Sequence, residues 1–380
     1  MYRKLFFCYD TPYYQEMETK MKERIEKSAL IAMSGGVDSS VAAYLMKKEG
    51  FRCMGVNMRL YHNRDIGQKL IGSCCSLQDA DDAAEVCYRL NLPFRMLDYT
   101  AQFKKEVMDK FVKTYETGGT PNPCIDCNRY MKFKHLADFA DEIGFDKIVT
   151  GHYARVDYDE ASGRYLLKKA VDEKKDQSYV LYMLTQEQLS RIRFPLGNFT
   201  KEITRRIAEE AGFVNARKHD SEDICFVPDG DYVAFMERYT RKKYLGGDFL
   251  DEAGHTIGRH EGAVRYTKGQ RRGLKFSAGK RIFVIDKDMD RNTVTLGDES
   301  SLFSTEIELT DVNWITELPE TSLRVTGRTR YHQKETECTL TPLSATRARV
   351  IFDRPVRAVT RGQAAVFYDG DIVVCGGTIL

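Results

Sequence analysis

Seven residues near the start of the chain, Ser34-Gly35-Gly36-Val37-Asp38-Ser39-Ser40, have the composition of an anion cradle. Paired glycines let the backbone turn tightly and come close to a ligand. Exposed N–H groups where a helix begins, helped by the serine hydroxyls, would then hold phosphate. No lysine follows the loop, so it is not of the Walker type. Asp38 suits a phosphate site only with Mg²⁺ between carboxylate and phosphate. The second reactive set is sulfur. Of ten cysteines, Cys124 and Cys127 form a Cys-x-x-Cys inside Thr120-Pro121-Asn122-Pro123-Cys124-Ile125-Asp126-Cys127-Asn128, and Cys225 lies in the segment from His219 to Pro228. Thiolates act as nucleophiles, exchange disulfides or ligate metals, and a lone Cys-x-x-Cys does not choose among these. Cys74 and Cys75 read as part of a structural loop before a helix, and Cys53 and Cys87 as small core residues.

These groups need a scaffold. SALIAM is a short apolar run, and VAAYLMKKEG after the glycine loop has helical spacing and ends at Gly50, a natural C-cap. FRCMGVNMRL reads as the next strand, and a helix over 77–91 follows Ser76, with Asp79 completing a capping-box pattern. FRMLDY is a third strand, 101–116 a helix, MKFKHLADFADEIG a helix closed by Gly144, and DKIVTGHYARV a fourth strand. The alternation predicts an α/β fold with a parallel sheet, whose ligands collect at the carboxyl ends of the strands. Ser34–Ser40, Met58 and Gly151–His152 would share that rim. Residues 201–245 read as helical and charged, and from about 280 short strands punctuated by Gly and Asp predict a small β-barrel, opened by the hairpin RIFVIDKDMDRNTVTLG. The expected division is an N-terminal extension over 1–27, a catalytic domain over 28–200, a small central α+β domain over 201–281 and a C-terminal β-barrel over 282–380.

A length of 380 residues suits two or three domains, and 42% hydrophobic with 30% charged residues is ordinary for a globular chain. No run of 18 uncharged apolar residues exists, so no transmembrane helix is expected. The first thirty residues carry charge throughout and lack an apolar core, so a secretory signal is not expected and the cytoplasm follows by default. In that compartment a disulfide framework is the wrong reading of the cysteines. Net charge is only +2; the basic runs Arg265–Lys275 and Arg238–Lys243 fit solvated surface as readily as RNA.

The SGGVDSS loop resembles that of the PP-loop ATP pyrophosphatase superfamily, in which the loop holds the pyrophosphate of ATP and an oxygen is adenylated. Together with TGHYAR (150–155), KKDQSYVL (174–181) and YTKGQRRGL (266–274), the two cysteine segments resemble the tRNA-specific 2-thiouridylase family, from about residue 28 to the C-terminus. The resemblance implies ATP and Mg²⁺ as cofactors, with Ala32, Met33, Ser34, Gly35, Gly36, Val37, Asp38, Ser39, Met58 and Gly151 around the nucleotide and Asp38 needed for adenylation. It makes Cys127 the nucleophile and Cys225 the persulfide carrier. It implies tRNA contacts at Asn122, Pro123, Cys124, His152, Lys175, Asp176, Gln177, Arg330, Tyr331 and Gln363. The substrate would be the wobble uridine in the anticodon arm of tRNA, and the partner a sulfur donor such as a cysteine desulfurase or a sulfur relay carrier.

Chemistry fits that implication. Turning C=O into C=S takes a leaving group on oxygen, which adenylation supplies, and a sulfur nucleophile, which a cysteine can carry. A second cysteine then frees the sulfur or closes a disulfide. One departure stands out: the family's best-known form has aspartate where this chain has Cys124. Three readings stay open, namely a persulfide relay, a [4Fe-4S] cluster on Cys124, Cys127 and Cys225 with one open iron, and zinc or inert thiols. Beyond thiolation, a PP-loop ligase of small molecules and an RNA-binding adaptor are the alternatives.

Overall fold

The computed structural model describes residues 27–63, 65–67, 75–220, 224–276 and 279–380, with the side chains of 75–77 left out. Cys74, the side chain of Cys75 and all but the last residue of the expected N-terminal extension lie outside the described residues. Among the described residues no helix is long and apolar enough to cross a membrane.

The alternation of strands and helices does build a parallel sheet. Its order is Phe94–Asp98, Arg52–Arg59, Ser28–Ala32, Lys147–Val149, Ile192–Arg193, and each neighbouring pair is parallel. Ala29, Leu30 and Ile31 are fully buried, as befits a strand covered on both faces. One face packs on the helices Val37–Lys48, Cys75–Arg89 and Lys201–Glu210 through Val41, Val86 and Ala208. The other packs on the segment around Phe133, Leu136 and Phe139. From Ser28–Ala32 the chain steps outward twice, then returns to place Lys147–Val149 on the opposite side. The switch point between those two strands opens at their carboxyl ends, where the glycine loop and Gly151 lie.

Three elements differ from the sequence reading. The fourth strand ends at Val149, because the chain must leave the sheet to pass over the glycine loop: a Cβ on Gly151 would sit 2.7 Å from the Asp38 carbonyl carbon and the Ser39 nitrogen. Arg155–Asp159 instead pairs antiparallel with Arg164–Lys168, which joins the barrel sheet at Ile372. The helix expected to start near Met131 begins at Pro123 and passes through a π-helical stretch, Cys127–His135, before resuming as Leu136–Glu142. The helix expected over 101–116 likewise carries a π-helical turn at Lys104–Met108.

The hairpin Phe283–Asp288 with Thr293–Gly297 does not open the barrel. It pairs in parallel with Gly247–Leu250 in a separate four-stranded sheet, because its inward Val284, Val294 and Leu296 close over Phe249, Tyr266 and Leu274. The barrel proper has six strands: Phe303–Trp314, Arg347–Arg357, Thr336–Ser344, Leu323–Arg328, Ala364–Asp369 and Ile372–Ile379, closed by pairing of the first with the last. Barrel and catalytic sheet share one core, since Tyr179, Leu181 and Tyr182 pack with Ala364, Val366, Tyr368 and Val373. Gly376 makes room for this, as a Cβ there would come within 2.5 Å of the Tyr182 ring.

Candidate active site

The glycine loop is held open by its own side chains. Gly35 has φ +77°, and a Cβ there would meet the Asp79 carbonyl oxygen at 2.1 Å, so only glycine fits. Ser39 Oγ accepts from the Ser34 N–H at 3.2 Å and donates to the Gly36 carbonyl at 3.0 Å; Ser40 Oγ donates to the same carbonyl at 3.1 Å. Asn215 donates to the Gly35 carbonyl at 3.0 Å and to Ser40 Oγ at 2.9 Å. Lys218 is clamped by Asp79 and Asp82, each at 2.6 Å. With the carbonyls occupied, the start of helix Val37–Lys48 remains to meet an anion.

Asp38 projects from the first turn of that helix into a charged network. Lys201 donates to both its carboxylate oxygens, at 2.7 and 2.8 Å, and the Tyr153 hydroxyl donates at 2.9 Å. Lys201 also reaches Asp220 at 2.7 Å, where Lys175 at 2.7 Å and Arg205 at 3.0 Å converge. Burial alone would raise the Asp220 pKa, but the hydrogen bonds from Lys175 and Lys201 hold it below the usual carboxylate range. Motif reading missed Lys201, Tyr153, Lys218 and Asp220. Mg²⁺ takes one or two carboxylates and completes its shell with phosphates and water, so a single acid beside a phosphate loop fits it.

The sulfur groups occupy the other end of the rim. Pro123 is buried at the first turn of the short helix Pro123–Asp126, leaving Cys124 exposed and carrying Cys127 into the π-helical stretch. Cys127 and Ile224 both pack against the apolar cluster that holds Phe226 and Val227, the residues after Cys225. Phe226 anchors that segment: it is 1% exposed and meets the rings of Phe103, Phe111 and Phe235 at 5.6, 5.1 and 5.2 Å. The Tyr61 hydroxyl donates to the Cys225 carbonyl at 2.8 Å.

Desolvation raises all three thiol pKa values, Cys127 to about 11, and Cys225 is raised further by the nearby Cys127 and Cys124. Cys124 and Cys225 nevertheless keep an exposed edge, so the groove is open but poorly solvating. All three are free thiols, and the disulfide expected for this site is not formed. Among the described residues no three Cys, His, Asp or Glu side chains are grouped so as to hold a single metal ion, so the residues do not fit the zinc reading.

His152 stands between the two ends. It is 7% exposed, with Thr150 Oγ1 2.7 Å from Nδ1 and the Lys132 ammonium 3.4 Å from Nε2. Burial first, and then the Lys132 charge, lower its pKa well below the ordinary value, so the ring is neutral.

The residues implied as tRNA contacts divide. Asn122, Cys124 and Lys175 present surface, and Lys175 is engaged by Asp220. Met58, implied as a nucleotide contact and not a tRNA one, is half-buried between two cores. Asp176 is turned inward: it accepts from the N–H groups of Ala170 and Ser178, from Ser178 Oγ and from Arg328. Gln177 accepts from the Tyr153 N–H at 2.9 Å, Arg330 donates to the carbonyls of Lys268 and Ala358, and the Tyr331 hydroxyl donates to the Asp176 carbonyl. Gln363 donates to the carbonyls of Thr120 and Pro121 at 3.0 and 3.3 Å, tying the barrel to the cysteine loop.

Taken together, a parallel-sheet phosphate-loop domain, a second small β domain and a closing barrel define a nucleotide-using enzyme with a sulfur site. Family models match in that order: a tRNA methyl transferase HUP domain over residues 27–229, a tRNA methyl transferase PRC-barrel domain over 233–298 and an aminomethyltransferase β-barrel domain over 304–379. The tRNA-specific 2-thiouridylase MnmA of Acetivibrio thermocellus is 46% identical over 93% of this chain and 99% of its own, and that of Clostridioides difficile 45% identical over 93% and 98%. The chain belongs to the tRNA-specific 2-thiouridylase family. A solved NMN synthetase from Francisella tularensis is 16% identical, with a TM-score of 0.33 over 60% of this chain and 87% of that one, too slight a likeness to bear on function.

Proposed function

We infer that the chain is an ATP-dependent tRNA 2-thiouridylase of the cytoplasm that exchanges the 2-oxygen of the wobble uridine for sulfur. The glycine loop holds the phosphates of ATP, and Mg²⁺, when bound at Asp38, offsets the charge of the departing pyrophosphate. The uridine oxygen attacks the α-phosphorus and becomes adenylated. Sulfur arrives from a donor protein as a persulfide on Cys225. Its terminal sulfur forms a bond to C2, and AMP leaves with the former uridine oxygen. The Cys127 thiolate then attacks Cys225 Sγ; the sulfur–sulfur bond breaks, its electron pair completes C=S, and a Cys127–Cys225 disulfide results. An external dithiol restores the enzyme. Between the two sulfur routes, the relay needs no more than the free thiols present at Cys124, Cys127 and Cys225.

The observation that carries this reading is one peptide step. Gly151 packs on the phosphate loop, and His152, the next residue, takes the Lys132 ammonium beside the thiols. The base therefore has one place to be extruded to, between adenylation and sulfur chemistry. The test is incubation with ATP, Mg²⁺, a cysteine desulfurase with free cysteine as the persulfide source, a dithiol reductant and unmodified tRNA transcripts, followed by AMP assay and mass spectrometry of the digested tRNA. Thiolated uridine that disappears when the wobble position is changed to cytidine is the expected result. AMP formation driven by a small acceptor, without any need for tRNA, would sink the reading.

A further inference from the structure

The phosphate loop carries no lysine of its own, yet Lys175, Lys201, Arg205 and Lys218 gather around it and its partners. Lys218 donates to the Gly35 carbonyl at 3.3 Å and lies between Asp79 and Asp82, so its withdrawal would take a cation from both carboxylates. Arg205 is fixed by the carbonyls of Ala216 and Lys218, each at 3.0 Å, as well as by Asp220. Lys201 differs from these. Its ammonium touches both oxygens of Asp38, at 2.7 and 2.8 Å, in the first turn of Val37–Lys48, where that helix presents its unpaired N–H groups. It is also the cation that the network can release. When Lys201 leaves, Asp220 keeps Lys175 and Arg205, and Asp38 keeps the Tyr153 hydroxyl. Only its side chain has to move, because the Lys201 N–H is tied to Asp172 at 2.9 Å and Thr200 caps the helix it opens. Three cations, Lys175, Lys201 and Arg205, face two carboxylates, Asp38 and Asp220, so the cluster has one positive charge in excess, the sign that suits a polyphosphate.

We propose that Lys201 supplies the phosphate contact that the loop lacks, passing from Asp38 to the pyrophosphate end of ATP. In a Walker loop the lysine stands at the start of the loop's own helix and acts on phosphate as a point charge. Here the equivalent charge comes from a different helix, 163 residues further along the chain. During adenylation a bond forms between the uridine oxygen and the α-phosphorus. The bond from that phosphorus to the bridging oxygen breaks, and its electron pair stays with the pyrophosphate. The ammonium gives up no proton; it stabilises the charge that gathers on the departing group. With a side chain only 11% exposed, it does so through little intervening water, which strengthens the attraction.

The inference rests on the adenylation proposed above, but its test needs neither tRNA nor turnover. Full-length protein is titrated by calorimetry with inorganic pyrophosphate and, separately, with AMP, in buffer free of divalent metal. Lys201→Gln should weaken pyrophosphate binding by about tenfold to a hundredfold, the loss of one charge-assisted contact, and leave AMP within about twofold. Lys201→Arg should keep most of the pyrophosphate affinity, because the charge stays. Asp38→Asn combined with Lys201→Gln restores the wild-type charge balance, yet should remain weak, since neutralising Asp38 supplies no contact to phosphate. Recovery in that double variant would overturn the proposal by showing that the lysine only offsets Asp38. So would unchanged pyrophosphate affinity in Lys201→Gln, an Arg variant as weak as the Gln one, or an equal loss of AMP and pyrophosphate, which reports a disturbed fold. Wild-type protein that binds AMP but no pyrophosphate would remove this proposal and the adenylation reading together.

Discussion

Around Asp38, charged side chains answer one another: Lys201, Asp220, Lys175 and Arg205 form a continuous chain of ion pairs. On the far side of Gly151 and His152, Cys127 packs on the apolar cluster that holds Phe226 and Val227, and Cys124 and Cys225 are exposed. The nucleotide end handles a polyanion, so it is built from donors held in place beforehand. The sulfur end is built the other way: burial raises all three thiols, and on the proposed function that trades solvation for protection of a sulfur group that water and stray thiols would consume. A single fold can do both because the topological switch point separates the two surroundings by only a few residues.

The largest effect that would test this contrast is Cys225→Ser. Thiouridine formation should fall below detection while ATP and tRNA binding persist; retained thiolation would break the division of labour. Asp38→Ala attacks the other end and should lower tRNA-dependent AMP release by about a hundredfold or more, as loss of a charge-stabilising group does elsewhere. If sulfur transfer to a pre-adenylated tRNA also failed in that variant, the two ends would not be separable. Phe226→Ala should destabilise the protein by about 3–5 kcal/mol in denaturant unfolding. It should lower thiolation more than AMP release, since it unseats Cys225. The smallest effect concerns Asp220. Its folded-state pKa is depressed, so its contribution to stability is present above the unfolded value of about 3.9 and is lost as pH falls through the folded one. The melting-temperature gap between wild type and Asp220→Asn should therefore be full at pH 7 and close in acid below about pH 4; a gap that persists there would show Asp220 to act through packing.

Much of this was readable from local pattern. SGGVDSS between an apolar run and a helical run announced the phosphate loop, while Cys127 and Cys225 were singled out through the family resemblance and not by their spacing. The rest required contacts between distant segments. Lys201 and Asp38 are separated by 163 residues, and no local period connects a lysine at a helix start to an aspartate in another helix's first turn. The π-helical stretch Cys127–His135 was hidden for a different reason: a helical reading assumes 3.6 residues per turn, and no residue type in the sequence marks where that phase breaks. The hairpin Phe283–Gly297 was a correct pair of strands assigned to the wrong sheet, because alternation shows which residues face inward but not what they face. Asp176 and Gln363, implied as tRNA contacts, carry polar side chains that the fold uses to hold its own loops.

The amide of Gln363 grips the backbone of Thr120 and Pro121, so the barrel reaches back to the turn that precedes Cys124 and Cys127. Such a module cannot be exchanged or trimmed as an independent accessory. Until residue 363 has been made and folded, the Thr120–Pro121 turn lacks the two hydrogen bonds that fasten it from the barrel.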